Sequence, residues 1–369
     1  MLNSTDVFVI GGGPAGLAAA IAARQQGFRV MVADGAHPPV DKACGEALLP
    51  DALAAFTALG LALPASQASV VRGVRYLSSE LSADADFPSG SCGLSIRRTV
   101  LHRIMSERAA GLGVDLHWQT AVTGISGQMV HLGERRVRTQ WIIGADGFNS
   151  RVRRWANLKV QSSSGLRYAF RRHYRVPPWT DRLEVYWGKN SQAFSSPINH
   201  EEVCVAVASH HSEIRLQESL LEFPELSARL RDAEPTSLER GSVTANCTLK
   251  RVWRGNVALI GDASGTVDAI TGEGLGLAFA QATVLASCLK ARNLPAYQSA
   301  HRRLAMRPRM MARLMLTLDG RPGVQRRALH VFRQRPEVFR RLVAFHVGAL
   351  SPFEMAVDGL TLGWGLLTA

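Results

Sequence analysis

The stretch Val7-Phe8-Val9-Ile10-Gly11-Gly12-Gly13-Pro14-Ala15-Gly16 decides the fold of this chain. Its first four residues are apolar and are followed by glycine, which predicts a buried parallel strand over 7–10. The apolar periodicity that follows predicts a helix over 17–26. In such a strand–turn–helix unit, Gly11 permits a tight turn, Gly13 lets the backbone approach a pyrophosphate, and Gly16 lets the helix pack closely on the strand.

The turn and the next strand together predict a dinucleotide-binding site. Pro14 and Ala15 lie at the start of the helix, where free N–H groups and a partial positive charge favour a pyrophosphate. Residues 30–33 predict the second strand, and Asp34 follows it where a carboxylate accepts a hydrogen bond from a ribose 2′-hydroxyl. Asp34 disfavours the 2′-phosphate of NADP at this site. The motif alone leaves NAD and FAD open, and a glycine-rich turn without function is the alternative.

Composition indicates a large globular α/β protein. Of the 369 residues, 46% are apolar and 33 are glycine, so a disordered or fibrous protein is excluded. The five cysteines are scattered, which argues against a disulfide framework and suits a reducing cytoplasm. No His, Cys and carboxylate cluster has ligand spacing, so no metal is expected. A cytoplasmic protein is expected, since the sequence shows neither a secretory signal nor an apolar run long enough to span a bilayer.

The order of the predicted elements indicates a discontinuous first domain. Residues 141–146 and 256–260 predict buried strands that return to it, and 274–291 predict a long helix. Between them, alternation such as Leu183-x-Val185-x-Trp187 predicts an antiparallel sheet, interrupted by a helix over 216–232. The predicted domains are a nucleotide-binding domain of 1–68, 96–160 and 251–291, an inserted β-sheet domain of 69–95 and 161–250, and a C-terminal basic helical region of 292–369.

Positive charge is concentrated in the C-terminal region. The formal net charge is +13, and residues 301–350 carry twelve arginines against two acidic residues. Apolar residues recur there at helical spacing, so a helical bundle with a solvated arginine face is favoured. Peripheral contact with an anionic membrane through these helices is the alternative. Nucleic-acid binding is not expected, because aromatic residues do not alternate with the arginines.

Two later motifs identify the dinucleotide by resemblance. They are Gly144-Ala145-Asp146-Gly147-Phe148-Asn149-Ser150-Arg151-Val152-Arg153 and Gly261-Asp262-Ala263-Ser264-Gly265. With the glycine loop, they resemble the three fingerprints of the para-hydroxybenzoate hydroxylase-like flavoprotein superfamily. The resemblance covers about residues 6–291 and implies FAD as the cofactor. It implies an α/β fold, with a Rossmann-like FAD-binding domain of the glutathione-reductase type, an inserted, mainly antiparallel β-sheet substrate domain and a C-terminal helical region.

The resemblance also assigns cofactor contacts to single residues. Gly261 and Asp262 match the segment that binds the ribityl chain of FAD. Asp146 and Gly147 match the motif that serves FAD and the transient binding of NAD(P)H as reductant. Arg98 resembles a helix-start arginine that contacts the phosphate or ribityl region of the flavin, with Arg97 as the second choice.

Two further loops resemble those of geranylgeranyl reductases. One runs over 41–50 and contains Cys44 and Gly45, in a pattern that is also similar to a Gly-Glu-x-x-x-Pro loop of halogenases. The other contains Gly272, Glu273 and Gly274, and in the reductases it covers the isoalloxazine ring with backbone amides. Gly265 and Ala269 stand where hydroxylases usually carry histidine and proline, and the Trp-x-Trp-x-Ile-Pro signature of halogenases is absent from the sequence.

The sequence favours a single-component, NAD(P)H-dependent FAD monooxygenase of an apolar aromatic or polyketide-like secondary metabolite. The alternatives are a geranylgeranyl-reductase-like enzyme that reduces carbon–carbon double bonds, a flavin-dependent halogenase, and a non-catalytic escort protein on the same fold. The candidate catalytic residues are Cys44, His173 and Ala269, with an inert packed thiol as the alternative for the cysteine. The candidate residues of a substrate pocket, or else of the ordinary core, are Phe170, Tyr186, Trp187 and Phe194.

Overall fold

A computed structural model describes residues 3–78 and 80–355. In this part of the chain, the strands are β1 (Asn3–Ile10), β2 (Val30–Ala33), β3 (Ala47–Leu48), β4 (Ala68–Val71), β5 (Gly73–Leu77), β6 (Ser82–Asp86), β7 (Gly93–Ile96), β8 (Asp115–His117), β9 (Gly124–Ser126), β10 (Met129–Leu132), β11 (Arg135–Gly144), β12 (Val160–Arg175), β13 (Arg182–Trp187), β14 (Ser191–Asn199), β15 (Glu202–Ser209), β16 (Glu234–Pro235), β17 (Arg240–Leu249), β18 (Trp253–Arg254) and β19 (Val257–Leu259). The helices are α1 (Pro14–Gln25), α2 (Pro50–Ala58), α3 (Arg98–Gly111), α4 (Arg151–Trp155), α5 (Leu216–Leu220), α6 (Pro224–Leu230), α7 (Gly274–Lys290), α8 (Leu294–Leu304), α9 (Met306–Leu318), α10 (Pro322–Gln334) and α11 (Pro336–His346).

The first sheet has the glycine-loop strand at its centre. Its strand order is β18-β19-β11-β1-β2-β8, with β10 pairing on β11 and β9 on β10. The pairs β1–β2, β1–β11 and β11–β19 are parallel, and Ile10 lies beside Ala33 and Gly144. The carboxyl ends of these strands therefore meet at one edge of the sheet. From this edge, the chain leads from β1 to β2 on one side and from β11 to β19 on the other side. Open α/β sheets bind their ligands where the connections diverge in this way.

The core of this domain forms because its central strands are apolar along their whole length. Val7, Phe8 and Val9 are fully buried, and α1 packs between α3 and α7 on the sheet. The predicted strand over 7–10 is confirmed as part of β1. The predicted helix over 17–26 is confirmed as α1, which begins earlier, at Pro14. Proline suits the first turn of a helix, where its missing N–H costs no hydrogen bond.

The second sheet is mainly antiparallel, as predicted. Its order is β16-β12-β15-β14-β13-β5-β6, with β17 also on β12, and only the β13–β5 pair is parallel among its described strands. The short strands β3, β7 and β4 form a separate small sheet. The single helix predicted over 216–232 is wrong, because α5 ends at Leu220 and Pro224 begins a separate helix, α6. The predicted fold class is confirmed.

The C-terminal helices complete the fold. α8 packs on α7, while α10 and α11 pack on each other, on α9 and on β6 of the second sheet. The predicted helical region is thus observed as α8 to α11, which end at His346, and its last part, 356–369, lies outside the described residues. In the described part of the chain, no helix combines the length and the apolar character needed to cross a bilayer.

Candidate functional site

Close backbone packing shapes the glycine loop between β1 and α1. Gly11 has a φ of +108°, and a Cβ there would lie 2.5 Å from the Ala145 carbonyl oxygen. A Cβ on Gly16 would overlap the Gly11 carbonyl oxygen. Gly13, by contrast, faces open space, and no side chain caps α1. The loop therefore offers space and unpaired N–H groups to an anion at the start of the helix.

Asp34 lies at the end of β2 and holds this loop. Its two carboxylate oxygens accept hydrogen bonds from the N–H of Gly12 at 2.6 Å and the N–H of Ala36 at 2.7 Å. Each oxygen keeps a further lone pair, so the carboxylate still has capacity for a hydroxyl donor. The ribose contact of Asp34 stays a prediction.

Two residues that the sequence did not single out support the loop from behind. His102 on α3 is fully buried, and its Nε2 donates to the Gly12 carbonyl oxygen at 2.9 Å. Burial lowers the pKa of His102, although the Gly12 carbonyl opposes this, so the ring is neutral at pH 7. Trp118 packs beside the imidazole of His102, with ring centroids 5.4 Å apart. A Cβ on Gly12 would overlap the Trp118 side chain. The only local signal for His102 is its position one turn after Arg98.

The structure separates the two arginines at the start of α3. Arg97 donates through Nε to Glu202 on β15 at 2.6 Å, so it joins the two domains. Burial is the largest influence on the pKa of Glu202 and would raise it, but the hydrogen bonds from Arg97 and Thr236 and the charge of Arg97 together lower that pKa. Arg98 is 9% exposed, and its Nε has no hydrogen-bond partner. An unpaired, buried guanidinium beside the glycine loop suits an anionic ligand.

Asp146 organises the second motif through its own side chain. Its carboxylate accepts from the hydroxyl of Ser150 at 2.5 Å and from the N–H groups of Arg151 at 2.6 Å and Val152 at 3.0 Å. Gly147 next to it faces open space. The carboxylate thus fixes the loop, and the backbone at Gly147 is the part left available to a ligand.

The third motif packs directly on the first. A Cβ on Gly261 would lie 2.7 Å from the Cβ of Ala15, and the Gly261 N–H donates to Gln281 on α7 at 2.9 Å. Asp262 is nearly half exposed and lies 3.3 Å from the ammonium of Lys42. This ion pair brings the third motif to the loop that carries Cys44.

The segment from Ala269 to Gly274 also borders the edge of the first sheet where the carboxyl ends of the parallel strands meet. Ala269, Gly272 and Gly274 are exposed, and both glycines face open space. The Ala269 carbonyl accepts the Gly272 N–H at 3.0 Å, so part of its hydrogen-bonding capacity is already used. No side chain caps α7, which begins at Gly274. Its first N–H groups therefore favour negative charge in front of them.

Glu273 points away from this open space into a buried polar cluster. Its carboxyl lies 3.3 Å from Arg307 on α9 and 3.6 Å from the Nε2 of His346 on α11. Burial raises the pKa of Glu273 to about 8, against the opposing charge of Arg307. Burial lowers the pKa of His346 to about 4, and its Nε2 donates to the Thr271 carbonyl at 2.9 Å. The side chain of Glu273 therefore joins the C-terminal helices to the segment, and a ligand would meet only its backbone.

The loop with Cys44 is held by the second sheet. Gly45 is exposed and faces open space, and its carbonyl accepts the Ser196 hydroxyl at 2.7 Å. Cys44 is half-buried, and its Sγ accepts the N–H of Glu46 at 3.3 Å. Glu46 itself has a φ of +60° and is 3% exposed. This left-handed backbone places the carboxylate under the sheet while Gly45 stays at the surface.

His173 meets that carboxylate. Its Nε2 lies 2.5 Å from Glu46 Oε2, and its Nδ1 lies 3.2 Å from the guanidinium of Arg171. Because arginine has only donors, Nδ1 is the acceptor and Nε2–H donates to Glu46. His173 is 2% exposed, so it does not face the open edge. We assign it to holding the loop, and its predicted catalytic role has no support in this placement.

Cys204 completes a group of three potential metal ligands with Glu46 and His173. Their ligand atoms lie within 4.8 Å of one another. Sequence spacing could not reveal this group, since its members stand far apart in the chain. The positive charge beside Glu46 comes from Arg171, whose guanidinium lies 3.5 Å from its other oxygen. Burial raises the pKa of the Cys204 thiol, which disfavours the thiolate that a metal needs.

The four aromatic candidates fall on opposite faces of the second sheet, because side chains alternate along a strand. Trp187 and Phe194 lie on the face that also carries His173, packed in a cluster with Ile270. Phe170 and Tyr186 lie on the other face, packed with the residues of α5 and α6. Phe170 and Tyr186 therefore belong to the core of the second domain, which was the alternative to a pocket role for them.

The geometry fits an extended dinucleotide. Among the glycines that face open space, five belong to the loops described above, namely Gly13, Gly45, Gly147, Gly272 and Gly274. We call the loops that carry them the cradle. The uncapped starts of α1 and α7 and the unpaired Nε of Arg98 supply donors to it. Fold and cradle together define a dinucleotide-binding protein.

Comparison with known families agrees with this class. Residues 4–293 match the family described as FAD binding domain, so the chain belongs to this family of FAD-dependent oxidoreductases. The resemblance to para-hydroxybenzoate hydroxylase-like flavoproteins is confirmed. The chain is 28% identical over 299 residues to digeranylgeranylglycerophospholipid reductase 1 of Methanothermobacter thermautotrophicus, covering 74% of each chain. It is 26% identical over 327 residues to menaquinone reductase of Mycobacterium tuberculosis, covering 79% of this chain and 78% of that one.

The fold also occurs in solved structures. A flavoprotein/dehydrogenase from Cytophaga hutchinsonii superposes with a TM-score of 0.78 at 18% identity, over 94% of this chain and 93% of that chain. At this level of identity the likeness concerns the fold alone.

Proposed function

We propose that this protein is an FAD-dependent reductase that adds two hydrogens across a carbon–carbon double bond of an apolar substrate. One observation carries the proposal: the chain aligns with two proteins named as reductases over about three quarters of their length and of its own. FAD, when bound, would supply the hydride, and NAD(P)H would be the source of electrons. A proton from solvent completes the balance.

The residues of the cradle have distinct parts in this proposal. The N–H groups at the starts of α1 and α7 and the guanidinium of Arg98 would hold the phosphates and the negative charge of the cofactor. The Cys44 loop and the Ala269–Gly274 segment would enclose its reactive end, because Gly45, Gly272 and Gly274 present backbone rather than side chains to the open space. Enclosure excludes water and orients the substrate.

Aromatic residues on one face of the second sheet support the choice of an apolar substrate. Phe194 is half-buried on the face that carries Ser196, and Ser196 in turn contacts Gly45. Trp187 lies on the same face, in one cluster with Ile270 of the Ala269–Gly274 segment. Pockets of this kind bind their ligands mainly through apolar and aromatic side chains.

Monooxygenation was favoured by the sequence and is the second candidate. Monooxygenation remains a candidate because Ala269, which stands where hydroxylases carry proline, is exposed at the open edge. We rank reduction first because Gly265 and Ala269 both depart from the hydroxylase pattern, whereas the loops with Cys44 and Gly272 follow the reductase pattern. Halogenation and a non-catalytic escort role rank below both.

The experiment compares turnover with and without oxygen. FAD-loaded protein and NADPH, or NADH, are incubated anaerobically with a geranylgeranyl lipid or with menaquinone, and the products are analysed by mass spectrometry. Reduction predicts a gain of two hydrogens per turnover without oxygen. A gain of one oxygen atom that requires dioxygen would overturn the proposal in favour of monooxygenation.

A further inference from the structure

The outer face of the C-terminal helices is strongly basic. In α9, α10 and α11, apolar residues such as Met315, Leu329 and Phe339 are buried against the body of the protein. Arginines occupy the outward positions of these helices and of the turns between them. The residues that we call the arginine face are Arg313, Arg321, Arg326, Arg333, Arg335 and Arg340, all of which are exposed.

Few acidic side chains balance this face. Asp319 turns inward, where it contacts Arg167 and accepts from Gln192 at 2.8 Å. Arg326 lies 3.2 Å from Glu80, but both side chains are more than 60% exposed, and exposed pairs of this kind contribute little. The arginine face therefore keeps an excess of positive charge and attracts an anionic surface.

Exposed methionines stand next to the arginines. Met306 is 50% exposed and Met310 is 41% exposed. They are one helical turn apart at the start of α9, and Arg313 follows in the next turn. A helix face that combines arginine with exposed apolar side chains suits the boundary between lipid headgroups and acyl chains. The phenylalanines of α10 and α11 are all buried, so these two helices present no outward phenylalanine, tyrosine or tryptophan on which a nucleic-acid base could stack.

The inner side of the same helices is continuous with the candidate active site. Met311, Phe332 and Phe339 line a cavity of about 30 Å³ together with Tyr76 and Trp187 of the second sheet. The apolar cluster around it extends to Ile270 in the cradle. The arginine-bearing helices are therefore packed on the segment that borders the cofactor edge, through this apolar cluster and through the polar contacts of Glu273 and Thr271 with α9 and α11.

We propose that the arginine face binds the anionic surface of a lipid bilayer. The charge excess attracts either anion, but the adjacent methionines and the absence of outward phenylalanine, tyrosine or tryptophan on α10 and α11 favour lipid over nucleic acid. Docking would hold the apolar cluster close to the bilayer, so that a substrate with a hydrocarbon chain reaches the cradle without crossing water. This last consequence rests on the proposed reductase function, whereas the docking itself does not.

Vesicle flotation of the FAD-loaded full-length protein tests the docking. The probes are vesicles of phosphatidylcholine alone, vesicles of phosphatidylcholine with phosphatidylglycerol and, in a parallel titration, duplex DNA, all at one fixed salt concentration. One variant combines R313Q, R333Q and R340Q. A matched control combines R135Q, R136Q and R138Q, which removes three exposed arginines from β11 in the first domain. None of these six residues belongs to the cradle.

We expect the wild-type protein to float with the anionic vesicles and not with phosphatidylcholine alone. The helix variant should bind them at least about tenfold more weakly, and the β11 control within about twofold of wild type. Equal weakening by both variants, no flotation on anionic vesicles, or tighter binding to duplex DNA than to these vesicles would overturn the proposal. Flotation is measured without turnover, so its failure and the failure of the reductase function are seen separately.

Discussion

The Nε2 of His173 lies 2.5 Å from the Oε2 of Glu46, and this buried hydrogen bond ties the cradle to the second sheet. His173 belongs to β12, while Glu46 follows Cys44 and Gly45 in the loop that borders the open space. The placement of that loop thus depends on a strand of the other domain. Both side chains are nearly inaccessible to water, so neither carboxylate nor imidazole has a substitute partner in solvent.

The first prediction tests this tie. His173→Leu leaves the buried Glu46 carboxylate without its donor, which should lower the free energy of unfolding by about 1–3 kcal/mol. FAD affinity should fall as well, because the loop with Gly45 loses its support. Denaturant unfolding and FAD titration measure the two effects. His200→Leu, at a side chain that is 83% exposed, is the control and should change neither. Unchanged FAD affinity in His173→Leu would show that the loop does not depend on this bond.

The second prediction distinguishes the neighbouring arginines of α3. Arg98→Gln should weaken FAD binding about tenfold or more, since a charge-assisted hydrogen bond contributes roughly 1.5–3 kcal/mol. Its effect on the apoprotein should be small, because its Nε has no partner within the protein. Arg97→Gln should instead lower Tm, as it breaks the ion pair with Glu202. If Arg97→Gln proves to be the variant that loses FAD, the assignment of Arg98 is wrong.

The third prediction concerns the two faces of the second sheet. Phe194→Ala should lower kcat/KM for an apolar substrate by about tenfold, because it removes apolar contact area from the candidate pocket. Tyr186→Phe removes only the hydrogen bond from the phenol to Glu184, which is 2.6 Å long and buried on the other face. It should lower stability by about 1 kcal/mol and leave kcat/KM unchanged. Steady-state kinetics measure kcat/KM and thermal unfolding measures the stability of both variants. A loss of kcat/KM in Tyr186→Phe equal to that in Phe194→Ala would contradict the assignment of the two faces.

The fourth prediction follows from the buried carboxyl of Glu273, whose folded-state pKa of about 8 is raised by burial. Between about pH 4.5 and pH 8, Glu273 ionises in the unfolded chain but stays protonated in the folded one. Its contribution to stability is therefore complete below pH 4.5 and is lost as the pH rises to 8. Glu273→Gln removes this loss, so its stability relative to wild type should increase with pH over that interval and then level off.

Urea unfolding at several pH values measures this difference. Glu134→Gln, an exposed residue of the β10–β11 turn, is the control and should show a difference that does not vary with pH. A flat difference for Glu273→Gln would mean that the carboxyl is already ionised in the folded protein at neutral pH. His346 acts in the opposite direction below pH 6.5, because burial lowers its folded-state pKa to about 4. As the pH falls, the unfolded chain is protonated at this histidine before the folded protein is, so stability decreases.

The sequence predicted the parts of the fold that depend on local pattern. The apolar run of β1, the spacing of Gly11, Gly13 and Gly16, and the alternation in β13 each fix a conformation within a few residues. The break at Pro224 was missed because the apolar spacing on its two sides is compatible with one helix. The face of the sheet on which Phe170 lies could not be decided either, since alternation gives two faces without saying which one meets the cofactor.

The contacts around the cradle were beyond sequence reasoning because they join distant parts of the chain. Glu46 and His173 are 127 residues apart, and His346 is 75 residues from Thr271. His102 is close to a predicted site residue, yet its contact with Gly12 spans 90 residues. Such pairs carry no periodicity, so only the fold reveals them.

The central claim, that the cradle binds FAD, is tested most directly by FAD titration of Gly13→Ala against Gly124→Ala. Neither glycine has an atom within 4 Å of an added Cβ, so both variants should fold with the Tm of the wild-type apoprotein. We expect Gly13→Ala to raise the Kd for FAD at least about tenfold, because its methyl group occupies the space for the pyrophosphate, and Gly124→Ala to bind FAD like wild type. Wild-type affinity in Gly13→Ala, or no FAD binding by the wild-type protein, would contradict it.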